Sequence, residues 1–349
     1  MKRVLSIALA LCMLLSCAVF FTGCSVTGSS EYPVTVRDTV IEKEPQNIVV
    51  LNDVLADVVS YIGYDIKMVG RSTECDQDFL YVVPTVGTAA SPDLSAITSA
   101  GADLVIADSS LGADVKSNLE AEGITVLLLD VPNNEEELKQ LYIDLGTALG
   151  GSTTGSAKGE DGYNDLLDML GTMNTATSNV VQTVAYLYMN ENGELCTFVK
   201  GDLDYKFFNY NGNSNVFLNQ AEPQVNVSEL RIGSPNYIFY DSEDVLTYLA
   251  ADEELNHLNA LESNRTMQIP KAAFRRYGTS AEDAVFQILN FIEKDSKATP
   301  DEATADITAT AAAVAEETAA PEVTEAATEA PVEEAEGDEN LITFSVQDE

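Results

Sequence analysis

Positive charge is the scarcest commodity in this chain. It has 18 lysines and arginines against 57 aspartates and glutamates, and a single histidine, for a formal net charge of −39. Such a surface repels phosphate backbones, which excludes nucleic acid as a partner. It also repels strongly anionic ligands at long range, except where one meets a local basic pocket. The lone histidine, His257, all but removes a Ser-His-Asp triad, whose base is histidine, and a histidine-rich transition-metal site. It sits in Glu254-Leu255-Asn256-His257-Leu258, which reads as a surface helix. No Gly-x-Ser-x-Gly elbow and no Gly-x-x-x-x-Gly-Lys-Ser/Thr phosphate loop occurs. An enzyme is disfavoured, and no catalytic residue, resident metal or cofactor is assigned. Cysteine is also sparse. Once the first 23 residues are set aside, only Cys24, Cys75 and Cys196 remain. That is too few for a disulfide framework, although Cys75 and Cys196 could form one bridge or stay as two thiols.

Only one run is apolar enough to approach a membrane span, and it lies at the start. Lys2 and Arg3 precede an apolar stretch from residue 4 to 21, then Phe21-Thr22-Gly23-Cys24 and an abruptly polar segment. This reads as a secretory signal (1–23) ending in a lipoprotein-type cleavage site, with Cys24 as the lipidated residue. The alternatives are an ordinary signal peptide and a membrane anchor. Acylation at Cys24 would hold the chain outside the cytoplasm at the cell membrane. Residues 24–44 read as a polar tether. At the other end, 298–349 collapse to Ala, Thr, Glu and Pro with 15 acidic residues and no Lys or Arg. Too little apolar surface is available there to offset ordering entropy, so this acidic tail is expected to be disordered.

Between these ends, short β-branched runs alternate with amphipathic segments. Ile48-Val49-Val50-Leu51, Lys67-Met68-Val69-Gly70, Leu104-Val105-Ile106-Ala107 and Thr125-Val126-Leu127-Leu128-Leu129 read as buried strands. Helices are expected over 53–62, 93–100, 116–122, 135–149 and 163–173. The rhythm argues for an α/β fold with parallel sheets. A second series begins at Val184-Ala185-Tyr186-Leu187-Tyr188 and Tyr237-Ile238-Phe239-Tyr240, with an edge strand over 265–269. An ungapped internal repeat aligns 93–109 with 226–242, pairing Ser95 with Ser228, Asp108 with Asp241 and Ser109 with Ser242. Two lobes of similar build follow, at 45–134 and 179–297 around a connecting region at 135–178, with strand ends facing a ligand cleft.

Several segments resemble, in order and spacing, the periplasmic binding proteins for cobalamin, heme and iron–siderophore complexes. Pro45-Gln46-Asn47-Ile48-Val49-Val50-Leu51 is similar to their opening strand. Cys75-Asp76 with Pro84-Thr85-Val86-Gly87 resembles the Cys-Asp-Tyr-Pro…Pro-x-Val-Gly loop of the corrinoid branch, with Gln77-Asp78 in place of Tyr-Pro. Ala102-Asp103-Leu104-Val105 and Ser234-Pro235-Asn236-Tyr237 resemble the paired Pro-Asp-Leu-Val/Ile segments. Gly212-Asn213-Ser214-Asn215-Val216 is similar to the Gly-Gly-x-Asn-Val turn. Phe274-Arg275-Arg276-Tyr277-Gly278 resembles the late Phe-x-Arg-Pro-Gly segment.

The resemblance implies two Rossmann-like lobes joined by one long helix over about 135–173, a small closure on binding, and a monomer delivering its ligand to the permease and ATPase subunits of an ABC importer. The ligand would be a corrinoid, heme or ferric siderophore, with the Cys-Asp loop and the acidic surface favouring a corrinoid. Ligand-lining candidates are Asn52, Asp53, Cys75, Asp76, Phe79, Tyr81, Asp108 and Ser109 in the first lobe. In the second they are Tyr188, Asp202, Tyr205, Phe207, Asp241, Ser242, Arg275 and Arg276. The positions where the family carries transporter-docking glutamates hold Ser95 and Ser228, with Asp93 and Glu229 beside them as substitutes. A different reading, motivated by those serines and by the tail, is a surface scaffold or sensor that keeps the fold and does not dock to a transporter.

Overall fold

The computed structural model describes residues 31–175 and 181–297. The compact unit runs through Ser296; the second unit, from Lys297 on, lies beyond its first residue outside the described residues. So do the signal, Cys24 and the acidic tail.

The first lobe is built on β3 (Ile48–Val50), β4 (Met68–Arg71), β5 (Leu104–Ala107) and β6 (Thr125–Leu128), all parallel in the order β4-β3-β5-β6. β3 and β5 are buried along their whole length, which is why they read as continuous apolar runs rather than alternating ones. Around them lie α1 (Asp53–Tyr61), α2 (Leu94–Ser99) and α3 (Ala113–Ala121). Asn52 caps α1 by accepting from the amides of Val54 (2.9 Å) and Leu55 (3.1 Å). Gly63 ends that helical segment at φ +69, a left-handed conformation that favours glycine.

The second lobe repeats the plan. β7 (Thr183–Met189), β10 (Tyr237–Tyr240) and β11 (Thr266–Gln268) are parallel, β9 (Ser214–Asn215) pairs parallel with β7, and β8 (Leu195–Cys196) returns antiparallel to it. The internal repeat is structural. Asp93 and Asn226 cap α2 and α7 (Val227–Gly233), and Asp108 and Asp241 follow the equivalent strands β5 and β10. One apolar core runs from the inner face of the first sheet to that of the second, and each sheet has a separate core on its outer face.

Two expectations need correction. The presumed tether is not free over its whole length, because Val34–Val36 (β1) and Thr39–Ile41 (β2) form an antiparallel hairpin that buries Val34, Val36 and Ile41. Three-residue strands leave too short a pattern to see. The single long helix that the resemblance implies over 135–173 is two helices, in keeping with the separate stretches read at 135–149 and 163–173: α4 (Glu135–Gly150) and α5 (Ser156–Thr175), joined by a π-turn at Gly151–Gly155. They run antiparallel in close contact. A Cβ on Gly146 would lie 2.2 Å from the Gly155 carbonyl oxygen, and one on Gly159 would lie 2.2 Å from that of Tyr142. The glycines that look like helix breakers are what lets the two backbones touch. Only α5 leads on to the second lobe. Gly159→Ala is accordingly expected to cost about 3 kcal/mol through overpacking, read by urea denaturation. Gly171→Ala, on the same helix with nothing within 4 Å of an added Cβ, should be neutral or stabilising by up to about 1 kcal/mol.

Candidate functional site

The carboxyl ends of the parallel strands carry most of the expected residues, and polar side chains there fix one another. In the first lobe, Asn52 Nδ2 donates to Asp108 Oδ2 at 2.6 Å, tying the end of β3 to the end of β5. Asp108 Oδ1 also accepts from the Ser110 amide at 2.7 Å. In the second lobe, Asp241 Oδ1 accepts from the Lys271 amide at 2.6 Å, which pins α10 (Lys271–Arg275) to the end of β10. Ser109 is exposed and Ser242 is half-buried beside these aspartates.

The lobes meet at a polar clamp. Arg276, buried, reaches from the second lobe to Asp53, Nε to Oδ2 at 3.1 Å, and to Asp76 through Nη2. Beneath it lies Asp57 of α1, fully buried, which accepts from the Ser280 amide (3.1 Å), the Ser280 hydroxyl and Gln77 Nε2 (3.3 Å). Burial pushes the Asp57 carboxyl up to about 6, against the lowering pull of Ser280, Gln77 and Arg276. Tyr142 of α4 donates to the Tyr277 carbonyl at 2.7 Å, and the Tyr277 hydroxyl donates to Asp204 at 3.1 Å. Tyr277 sits at φ +56, where a bulky residue is strained. Proline, which the family motif carries at this place, could not adopt that angle. Gly278 follows because an added Cβ would come within 2.6 Å of Asp57 Oδ1.

The 72–83 loop is braced from within. Arg71 Nε donates to the carbonyls of Leu80 (3.0 Å) and Val83 (2.9 Å), and Nη1 donates to that of Cys75. This leaves Phe79, Tyr81 and Val82 exposed on the loop whose Asp76 meets Arg276.

Two expected lining residues are buried in the core. Cys75 is fully buried, and burial followed by the nearby Asp53 charge pushes its thiol up to about 12. Phe207 is core, packed edge-on to Tyr210 and tilted against Tyr277. Both cysteines are free thiols. Asp202 and Tyr205 open instead onto a groove of about 510 Å³ between the lobes. It is lined by the start of α4, the end of α5 and α6 (Leu203–Asn209), and is bridged by an ion pair of Lys206 with Glu135. Tyr205 donates to the Leu218 carbonyl at 2.7 Å. Ser95, Ser228 and Glu229 are exposed, whereas the Asp93 carboxylate is occupied in capping the Ala96 amide at 3.0 Å. Among the described residues no group of three or more His, Cys, Asp or Glu is placed to hold a metal ion, and no helix is long and apolar enough to cross a membrane.

Sequence reasoning missed Lys271, Asp204, Asp57, Gln77 and Ser280. Lys271 Nζ lies 3.6 Å from the centroid of the Tyr188 ring, and Arg275 Nε lies 3.5 Å from Asp204 Oδ2. The one signal for Lys271 was its place just after an edge strand and a proline. Asp57 gave none, as one aspartate among many on an amphipathic helix.

The backbone aligns with a possible iron-binding, periplasmic solute-binding protein from Staphylococcus epidermidis. The TM-score is 0.55 at 14% identity, over 72% of this chain and 99% of that one. This is the bilobal solute-binding fold. The heme-binding protein HutB of Vibrio cholerae shares it (TM-score 0.56, 12% identity, 71% and 98% of the chains), as does the heme-binding protein RhuT from Roseiflexus in its apo form (0.53, 15%, 70% and 97%). No family model matches the sequence, and no curated protein matches it either.

Proposed function

We propose that this chain is the extracytoplasmic solute-binding subunit of an ABC importer, and that it captures a metal chelate between its lobes rather than catalysing a reaction. The observation that carries this reading is the paired architecture. Two similar lobes each end a central strand in an aspartate, Asp108 and Asp241, on either side of the Arg276 clamp. The similar proteins are described as heme-binding or as possibly iron-binding, which supports heme or an iron chelate as the cargo; a corrinoid rests on the resemblance of the Cys-Asp loop alone. Lipidation at Cys24 would hold the subunit at the cell membrane, and permease and ATPase subunits would be its partners. The test is a visible spectrum and a melting curve of the soluble chain, from residue 25 on, after exposure to cobalamin, heme and ferric siderophores. A bound chromophore with a raised melting temperature is expected; failure of all three classes would overturn the reading.

One observation favours a second reading, a surface scaffold or sensor. Glu31 is pinned to the α4–α5 turn, accepting from the Ser152 amide (3.0 Å), the Thr153 amide (2.8 Å) and the Thr154 hydroxyl (2.7 Å). That turn lies at the amino ends of the first sheet, since Lys67, just before β4, donates to the Leu149 carbonyl at 2.9 Å. A lipid on Cys24 is seven residues away, a reach of at most about 25 Å. Turning the carboxyl ends of the strands to the membrane would need that tether almost fully stretched, because they lie roughly 24 Å away along the 16 residues of α4. Copurification of the native lipidated chain with a permease and ATPase would sink the scaffold reading.

A further inference from the structure

The groove between the α4–α5 helices and α6 has a chemistry of its own. It encloses about 510 Å³, within the range of small-molecule sites. None of Asp53, Asp108, Asp241 and Arg276 lines it, so it is separate from the clamp and from the paired aspartates. Its cations are already answered. Lys206 pairs with Glu135 across it, and Lys200 donates to Asn219 Oδ1 at 3.2 Å. Other polar groups on its wall are not. The Asp202 carboxylate is exposed, caps no amide of α6, and has no hydrogen-bond or ion-pair partner among the described residues. Tyr163 of α5 adds an independent sign. It is 7% exposed, its ring is held edge-on to Tyr142 at 5.9 Å, and its hydroxyl makes no hydrogen bond among the described residues. Burial and then the Glu135 charge push its titration up, while Lys206 pulls it down. The hydroxyl therefore lies near the ion pair that bridges the groove. A phenol buried this deeply ordinarily has a hydrogen-bond partner.

We propose that this groove is a second ligand site, and that it takes a neutral saccharide of one or two rings. It does not rest on the metal-chelate reading, although it uses Asp202 and Tyr205, two residues first expected to line that site. A sugar ring has apolar C–H faces and a rim of hydroxyls, and the groove offers a match for each. Tyr205 and Tyr210 supply aromatic rings. Both are set in place: Tyr205 by its hydroxyl on the Leu218 carbonyl (2.7 Å), Tyr210 edge-on to Phe207 at 6.2 Å. Asp202 accepts from sugar hydroxyls in charge-assisted bonds. The Asn174 carboxamide and the Tyr163 hydroxyl both donate and accept. Charge sets the neutrality of the ligand. Lys206 is neutralised by Glu135, Asp202 is not neutralised, and a −39 chain repels anions.

Calorimetric titration with glucose, N-acetylglucosamine, maltose, cellobiose and chitobiose tests this, with glucuronate as the anionic control. At least one neutral sugar is expected to bind, and glucuronate more weakly than glucose. Tyr163→Phe deletes only an unpartnered hydroxyl, and Asp202→Ala only an exposed carboxylate, so the melting temperature of the free protein should hold in both. Tyr163→Phe should weaken the bound sugar roughly threefold to tenfold, as for one neutral hydrogen bond. Asp202→Ala should weaken it roughly tenfold to hundredfold, as for a charge-assisted one. Binding of none of the five sugars, or preference for glucuronate, overturns the saccharide site. Sugar affinity unchanged in both variants overturns it too, because the sugar then sits elsewhere. Cobalamin, heme and ferric siderophores are titrated into the same three proteins. If the variants weaken one of these and no sugar binds, the groove belongs to the chelate site; the saccharide site falls and the solute-binding reading stands. If a sugar binds as expected and no chelate does, the reverse holds.

Discussion

Replacing Arg276 by methionine is expected to destabilise the chain by about 2–4 kcal/mol and to loosen the contact between its lobes. The side chain is 10% exposed and sits between Asp53, 29% exposed, and Asp76, 75% exposed. The two carboxylates do not contribute equally. Asp76 is wet, and a solvent-screened pair of that kind is worth at most about 1 kcal/mol. Asp53 is the partner that matters, because losing the guanidinium leaves a partly buried carboxylate uncompensated, a change that costs about 3–5 kcal/mol where burial is complete. The double variant Arg276→Met with Asp53→Asn should therefore recover part of the loss, whereas Arg276→Met with Asp76→Asn should recover almost none. Urea denaturation of the four proteins measures this, and amide exchange across α1 and α11 (Thr279–Lys297) should show faster opening in the single variant. A loss under about 0.5 kcal/mol for Arg276→Met would mean that the apolar core shared by the lobes, not the clamp, holds them together.

That clamp also marks where sequence reasoning stopped. β3, β5, β7 and β10 were legible because a strand buried on both faces must be a continuous β-branched or aromatic run. The repeat was legible because both copies keep a capping residue, a helix and a strand ending in aspartate, at Asp93 to Asp108 and Asn226 to Asp241. The two helical stretches at 135–149 and 163–173 were legible as well, but their close antiparallel packing was not, because nothing local marks Gly155 and Gly159 as the contact surface of two helices. The site was half legible. Strand ends pointed to Asn52, Asp53, Asp108 and Asp241, all of which are engaged there. Residue type misled at Cys75 and Phe207, which are core. Asp57, Gln77 and Ser280 come together only through tertiary packing, 20 to 223 residues apart in the chain, and no local pattern signals that.

The pH dependence of stability should report directly on Asp57. Its carboxyl titrates at about 6 in the folded chain against the usual 3.8. The groups around it are Ser280, Gln77 and Arg276, which favour the charged form but do not outweigh its burial. Between about pH 4 and 6 the native state holds a proton that the unfolded state has released. The associated stability is fully present below about pH 4 and is lost as the pH rises through about 6. The difference is worth roughly 3 kcal/mol. In Asp57→Asn this titration is gone, and the amide keeps a carbonyl to accept from the Ser280 amide. The stability of wild type relative to Asp57→Asn is therefore expected to rise by roughly 2–3 kcal/mol between pH 7 and pH 4, with the change spread almost evenly between about pH 6 and pH 4. Parallel profiles for the two proteins over that range would mean that Asp57 stays ionised beneath Arg276 and that the clamp is a fully charged network. A rise confined to wild type would make the α1–α11 contact, Asp57 with Ser280, the part of the lobe interface that tightens on acidification.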